Sequence, residues 1–440
     1  MFNFKYNAKN FIMNYLDILP LIPAEEDIVA AVNNDFTILW ILLSGILVFF
    51  MQAGFTALEA GMTRAKNGVN IAMKNFMDIC VATITWVVCG YGLMYGAKTA
   101  GFISLGSDVW FNEGAGAHDV FFQLVFAATA ATIVSGAIAG RTKYSTYIIF
   151  TIFMTAIIYP ISGGWQWYGD GAFLADAGFI DFAGSSIVHA VGGFAALVAA
   201  AMVGPRIGKF DGGKVNPIPG SNLLLGALGV FILWLGWFGF NGGSQLAWGG
   251  ADSAAASMVV LVTQIAAAAG ALGALFASWI KLGKPSLSQT LNGCIAGLVS
   301  ITAGCGNMTV IGSFFAGLVG GVLVVFAIEF VEKVLKVDDA IGAFSAHGAA
   351  GVWGTIVIGL WGVDGDGPIG IFNGGAEGLS VFMIQLGGTG LYCLWATVTA
   401  AVVLYVLKIT LGLRVSAEVE KAGLDVSEHG ESADGELASY

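Results

Sequence analysis

The chain has 440 residues, 57% of them hydrophobic and 11% charged, with a net charge of −11 and a mean hydropathy of +0.81. A soluble globular protein carries about 25% charged residues, so this composition cannot cover a water-exposed surface and reads as an all-α polytopic membrane protein. The acidic balance lies mostly in connections and the tail and argues against a nucleic-acid partner. Strict alternation in segments of about 10 residues, the mark of an outer-membrane barrel, is absent from the sequence.

In chain order, residues 1–35 read as an external N-terminal extension. Lys5 and Lys9 precede a short apolar stretch from Phe11 to Pro23, which Asn14 and Asp17 interrupt. That stretch is too short to span a bilayer and makes a poor signal peptide. Apolar segments then fall at roughly 36–61, 71–97, 119–140, 144–164 and 181–204, followed by roughly 221–243, 255–280, 286–304, 309–332, 340–362 and 380–412. Their lengths approach or exceed the roughly 20 residues of a membrane helix, which predicts eleven transmembrane helices. The expected organisation is a first repeat over 36–204, a second over 221–362, an eleventh helix over 380–413 and an acidic cytoplasmic tail over 414–440. Of the 18 Lys and Arg, all but Lys5, Lys9 and Lys98 fall in or beside alternate connections or at the C-terminal end. By the positive-inside rule, that bias puts the N-terminus outside and the C-terminus inside. The five cysteines include no CxxC pair and read as small packing residues.

Two of the four histidines share a frame. Asp181-x-x-Gly184-x4-His189 and Asp339-x-x-Gly342-x4-His347 match, and Gly193 and Gly351 follow each histidine at the same spacing. Asp181 opens the fifth span from outside and Asp339 opens the tenth from inside. Eight residues of helix advance about 12 Å into a core about 30 Å thick. Both histidines are therefore expected near the midplane, approached from opposite faces. That is the pattern of an inverted 5+5 repeat, spans 1–5 against 6–10, as in many transporters. An ionisable residue inside a span is a functional candidate by default. Two neutral imidazoles could hydrogen-bond to each other, one nitrogen donating and the other accepting, and could accept or pass a proton near neutrality. Asp181 and Asp339 could each cap its helix, with Asp181 also holding backbone at the pore mouth. His118 and His429 lie in a loop and in the tail, with no role expected.

Three aromatic clusters accompany the expected outer side. Phe122 and Phe126 sit one turn apart in the third span. Trp237, Phe240 and Ser244 close the sixth, and Trp165 and Trp167 lie in the connection after the fourth. Aromatic faces attract cations and a serine hydroxyl can accept from one, although membrane proteins also carry aromatic belts at their interfaces. The route as read contains no intramembrane charge. It suits a small cation that can shed a proton, or a small neutral molecule. No metal-ligand cluster, phosphate loop or catalytic triad stands out, so no enzyme activity, metal or cofactor is expected.

At these residues the chain resembles the Amt branch of the Amt/Rh ammonium transporter family. The resemblance rests on "FMQAGFTALEAGMTRAKN", "DFAGSSIVH", "GWFGFNGGS", "NGCIAGLVSITAGC", "AHGAAGVWGT" and "LRVSAEVEKAGLDVSEHGES", and runs over nearly the whole chain. It implies ammonium or methylammonium as substrate, a homotrimer with one pore per subunit, and a place in the plasma (inner) membrane. By the same resemblance the outer ammonium site is Phe126, Trp167 and Ser244, with Trp165 a nearby competitor for the tryptophan. The gate is Phe126 with Phe240, flanked by Phe122 and Trp237. The twin pore histidines are His189 and His347, and Asp181 organises the outer mouth. Glu59 is expected to pack or hydrogen-bond rather than face the pore. The tail is expected to be partly ordered, to couple subunits and to offer a contact for a PII-type regulatory protein. Two other readings remain at this point: an Rh-like channel for neutral gas, and a transport-dead ammonium sensor.

Overall fold

The computed structural model describes residues 25–99, 101–111, 116–365, 367–372 and 374–433. Residues 1–24 of the expected extension and 434–440 of the tail lie outside the described residues. Helix α1 is Glu25–Met62, α2 Ala65–Tyr95, α3 Ala117–Ala137, α4 Tyr144–Gly163 and α5 Ser185–Val203. Then come α6, Leu223–Gly243, α7, Ala251–Leu282, α8, Leu287–Thr302, and α9, Val310–Leu335. Helix α10 covers residues 344–361, α11 is Gly375–Thr410, and the short α12 in the tail is Ala417–Ala422. Among the described residues, three antiparallel two-residue hairpins sit in connections.

Among the described residues, nine of these helices are long and apolar enough to cross a membrane. Helix α8, with 16 residues, and α10, which opens with Ser345 and His347, fall outside that set. Residues 25–35, read from sequence as part of the extension, are the first three turns of α1. Polar residues such as Asn33, Asn34 and Asp35 hide that helix from a hydropathy reading. The outer faces of α1, α6, α7, α9 and α11 are apolar, with Phe36, Phe50, Phe231, Ile280, Phe326 and Ile409 about half or more exposed. Such a surface has lipid, not water, as its solvent.

Small residues set the packing, as in membrane proteins generally. Helix α1 lies along α6, and a Cβ added to Gly61 would sit 2.4 Å from the backbone nitrogen of Gly226. Helices α7, α8 and α9 meet in the same way around Gly270, Gly297 and Gly317. Side-chain caps start several helices: Asn222 accepts from the Leu225 amide at 3.0 Å and Thr309 from the Gly312 amide at 3.0 Å.

The basic connections α1–α2, α3–α4 and α5–α6 share one face, and the tail is folded onto it. Arg414 donates to Glu420 at 2.6 Å, and the other Glu420 oxygen accepts from the Ile207 amide at 2.7 Å. Asp425 accepts from the Asn70 amide at 2.8 Å, and Asn70 also meets the His429 ring at 3.0 Å. The tail is therefore ordered at least through Gly430, more than its acidic composition suggests, because its carboxylates find the amides of Ile207, Asn70 and Tyr144 and the guanidinium groups of Arg414 and Arg64. Beneath it, Arg206 forms a two-point contact with Asp338 at 2.8 Å on each arm, and Arg141 donates to carbonyls of Ala137, Ala139 and Asp338. Burial alone would raise the Asp338 carboxyl. Hydrogen bonds from Arg206 and the charges of Arg141 and Arg206 outweigh it and bring the group down to about 2.

Candidate functional site

The repeated frame has a structural reason at each matched position. Asp181 accepts from four consecutive amides: Gly184 and Ser185 on one oxygen, Ser186 and Ile187 on the other, at 2.8–2.9 Å. Asp339 accepts from Ala343 and Phe344, both at 2.9 Å. Each carboxylate thus satisfies donors that a helix start leaves unpaired. Gly184 and Gly342 have φ of 108° and 82°, a backbone region that favours glycine. Each is followed by a π-helical turn that holds the histidine, Ser185–Ala190 in one case and Phe344–Ala349 in the other. The trailing glycines let the two helices touch. A Cβ on Gly193 would lie 2.3 Å from the Gly348 nitrogen, and one on Gly351 would lie 2.3 Å from the Ser185 carbonyl oxygen.

At this crossing the histidine rings meet. The two Nδ1 atoms are 3.2 Å apart, with ring centroids at 5.2 Å and planes 28° apart. One Nδ1 must donate and the other accept, so the neutral pair shares a single proton along that line. Nε2 of His189 has no hydrogen-bond partner among the described residues. His189 is stacked on Trp237 at 5.1 Å and on Phe240 at 5.4 Å. Trp237 is held in turn by its indole N–H, which donates to Thr302 at 2.9 Å. On the far side, His347 lies 6.2 Å from the Phe55 ring.

Phe126 and Phe240 close the way above His189. Their rings stack with centroids 3.9 Å apart, and both side chains are buried. Phe122 supports Phe126 at 4.8 Å, and Trp167 meets it edge-on at 5.8 Å. Beyond this pair lies a cavity of 130 Å³ lined by Phe126, Trp167 and Ser244 together with Tyr95, Asp119 and Gln123. The predicted trio is thus brought together although its members are far apart in sequence. Trp167 donates to the Asp181 carbonyl at 2.7 Å, which ties its orientation to the same aspartate that starts α5. Trp165 is elsewhere, buried against Phe102, Trp395, Phe173 and Tyr392 at 5.0–5.5 Å.

The polarity of this cavity is that of acceptors. Ser244 donates its hydroxyl proton to the Phe240 carbonyl at 2.8 Å, which leaves its oxygen lone pairs free to accept. Oε1 of Gln123 has no partner among the described residues. Asp119 accepts from the Tyr91 hydroxyl at 2.5 Å. Sequence reasoning missed Tyr95, Asp119 and Gln123. Gln123 and Asp119 sit three or four residues from Phe122 or Phe126 on one helix face, and that spacing could have found them.

Past His347 the route continues. A space of 10 Å³ is lined by His347, Phe55, Glu59, Thr132, Asn292 and Ile341 among others. Asn292, Ile341 and Gly342 also line a larger opening of 340 Å³ that Arg206, Lys209, Glu332 and Asp339 border. The expectation of a charge-free route needs correction at both ends, with Asp119 in the first cavity and Glu59 below the histidines. A burial pattern along one helix does not reveal which neighbour leaves a gap beside it. Glu59 does hydrogen-bond as expected, accepting from Ser135 at 2.8 Å.

Comparison with known proteins agrees with this architecture. The family model of the Ammonium Transporter Family matches residues 39–434. A putative ammonium transporter of Synechocystis sp. is 42% identical over 93% of this chain and 90% of its own length. The ammonium transporter Amt2 of Archaeoglobus fulgidus is 42% identical over 89% of this chain and 86% of its own. Among solved structures, one described as a sensor Amt protein superposes with a TM-score of 0.85 at 35% identity, covering 91% of this chain and all of the other. Candida albicans Mep2 superposes at 0.78 and 26% identity, covering 87% and 86%. The chain, an integral membrane protein of apolar helices built around a buried pair of histidines, belongs to the ammonium transporter family.

Proposed function

We propose that this ammonium transporter recognises ammonium in the aromatic, acceptor-lined cavity and passes ammonia and a proton separately through the pore. The observation that carries the reading is the continuous series from that cavity through Phe126–Phe240 to His189, His347 and the spaces below. Ammonium exchanges water for the faces of Phe126 and Trp167 and the lone pairs of Ser244. Carrying an intact cation past two stacked phenyl rings costs several kcal/mol, and deprotonation removes that cost. Ammonia crosses the Phe126–Phe240 gate while the proton travels by the histidine pair. Potassium has no proton to lose and is refused at the same point. Asp181 positions both sides of the gate, by starting α5 and by holding Trp167. Asp339 does the same for α10.

The helices α8 and α10 complete an eleven-helix bundle in which the 5+5 repeat is inverted. The pairing of α1 with α6, the crossing of α5 with α10 and the paired Asp frames support that arrangement. The N-terminus is outside, and the basic face carrying the docked tail is cytoplasmic, in the plasma (inner) membrane. The protein works as a homotrimer, and native mass spectrometry of the detergent-extracted protein checks that. The docked tail offers the surface that a PII-type partner would engage, and a pull-down with and without nucleotide tests it.

The deciding experiment is solid-supported-membrane electrophysiology on proteoliposomes. A transient current on an ammonium pulse with none for potassium is the expected result. Uptake of labelled methylammonium without any current would overturn the separated-proton mechanism in favour of a neutral-gas channel. Ammonium binding with neither current nor uptake would point to a sensor.

A further inference from the structure

Glu59 lies three residues before the end of α1, only 1% exposed, in a helix otherwise apolar over that stretch. It lines the same 10 Å³ space as His347, which is room for about one water molecule. Thr132 and Asn292 supply further polar groups there. On its other side Glu59 is linked to a buried cation through one residue. The Ser135 hydroxyl donates to Glu59 at 2.8 Å, and the Ser135 carbonyl accepts from Lys74 at 3.2 Å. Lys74 is itself 1% exposed and sits 5.4 Å from the centroid of the Tyr147 ring. Asp78, next along α2, is bound by the Tyr147 and Thr151 hydroxyls at 2.8 and 3.0 Å. Thr132 donates to Asn75 at 2.6 Å, closing the cluster against the cavity wall. Gly136 opens the space between them: a Cβ there would meet Ile341 at 2.4 Å and the Glu59 carboxyl carbon at 3.6 Å.

A buried carboxylate is costly and is retained where it is paired or used. Packing alone would not aim one into a water-sized gap beside a pore histidine. We infer that Glu59 is the proton acceptor on the inner side of the histidine pair, with Lys74 as its fixed counter-charge. The inference rests on the proposed passage of a proton through His189 and His347. In the step, an N–H bond of the His347 imidazolium breaks and an O–H bond forms at Glu59, by way of one bridging water. His347 returns to neutral imidazole and Glu59 becomes the neutral acid. The acid then releases its proton to solvent in the 340 Å³ opening, which shares Asn292, Ile341 and Gly342 with the smaller space.

The alternative role for Glu59 is purely structural, as the partner that neutralises Lys74. Three variants separate the two, each measured in proteoliposomes by ammonium-pulse current beside the wild type. Glu59→Gln keeps the shape and can still bond to Ser135. Its current should fall about 100-fold, the low end for loss of a positioned acid–base group. Glu59→Gln with Lys74→Gln removes both members of the pair, leaves Asp78 on its Tyr147 and Thr151 hydrogen bonds, and should be equally silent. Glu59→Asp keeps a carboxylate and should recover part of the current. A double variant that conducts like wild type would overturn the inference and leave Glu59 as a counter-ion, as would a fully active Glu59→Gln. If Glu59→Gln alone does not assemble by size exclusion, the double variant carries the same decision. A silent wild type would instead overturn the proton passage on which the step depends.

Discussion

His189 and His347 are 158 positions apart in sequence, yet their Nδ1 atoms lie 3.2 Å from each other in the centre of the fold. They reach this point because α5 and α10 cross with glycine against glycine, so neither ring needs a long side chain to find its partner. A proton on that line belongs to the pair rather than to either residue. The expected result of joint His189→Ala and His347→Ala replacement is loss of ammonium-selective current in proteoliposomes. Full ammonium current with no potassium leak in that double variant would remove the histidines from the mechanism.

Ser244 presents an oxygen whose own proton is already given to the Phe240 carbonyl. Ser244→Ala removes one acceptor for the cation and leaves the aromatic walls in place. A net hydrogen bond contributes about 1 kcal/mol, so the ammonium concentration for half-maximal current should rise about fivefold. The current at saturation should stay near wild type. An unchanged half-maximal concentration would mean that the hydroxyl does not touch the substrate.

Gly193→Ala should destabilise the protein without touching any pore-lining side chain. The added methyl would meet backbone of Gly348 at 2.3 Å, and overpacking of this kind costs about 1–3 kcal/mol. Gly390 is the control, since a methyl there meets nothing within 4 Å. The thermal unfolding midpoint in detergent should fall for Gly193→Ala and hold or rise for Gly390→Ala, where a helix-interior Gly→Ala change gains about 0.5–1 kcal/mol. Equal midpoints would show that the crossing is looser than the contact implies.

Asp338 links α5 and α10 at the face that carries the tail. Its carboxyl is brought from an ordinary value of 3.8 to about 2 by Arg206 and Arg141. A group lowered on folding adds stability that is present above its unfolded value and is lost as pH falls through the folded one. The contribution of about 2 kcal/mol should therefore disappear between about pH 4 and pH 2. Asp338→Asn should lose it at every pH above that window and flatten the acid limb of the unfolding midpoint. An acid limb identical to wild type would assign the acid sensitivity to other carboxylates.

Much of the candidate site is legible in the sequence. The Asp-Gly-His-Gly frame stated its own importance, because four matched residues in two apolar segments need a reason. Phe126, Trp167, Phe240 and Ser244 were legible as a cluster through the family resemblance rather than through spacing. Trp167 stands first by the resemblance with Trp165 a nearby competitor, since a single residue separates them and either could turn inward. The Asp181 carbonyl decides it by receiving the Trp167 indole N–H. Glu59 was read correctly as a hydrogen-bonding residue and missed as a wall of the route, because a gap is a property of neighbours.

Solvent and fold class follow from composition and pattern alone. Few charges, long apolar segments and basic residues in alternate connections leave a helical membrane protein as the only economical fold, and burial of apolar surface does not depend on which helix supplies it. The sequence also marks the two helix starts, since Asp and Gly at those spacings satisfy amides and allow positive φ locally. Everything that depends on two segments meeting needs the folded chain. That covers the shared proton line of the histidines, the stacked pair Phe126 and Phe240, the acceptor lining from Asp119 and Gln123, and the water-sized space between His347 and Glu59. Those relationships arise where helices cross, because a side chain's neighbour across a crossing comes from a distant part of the chain.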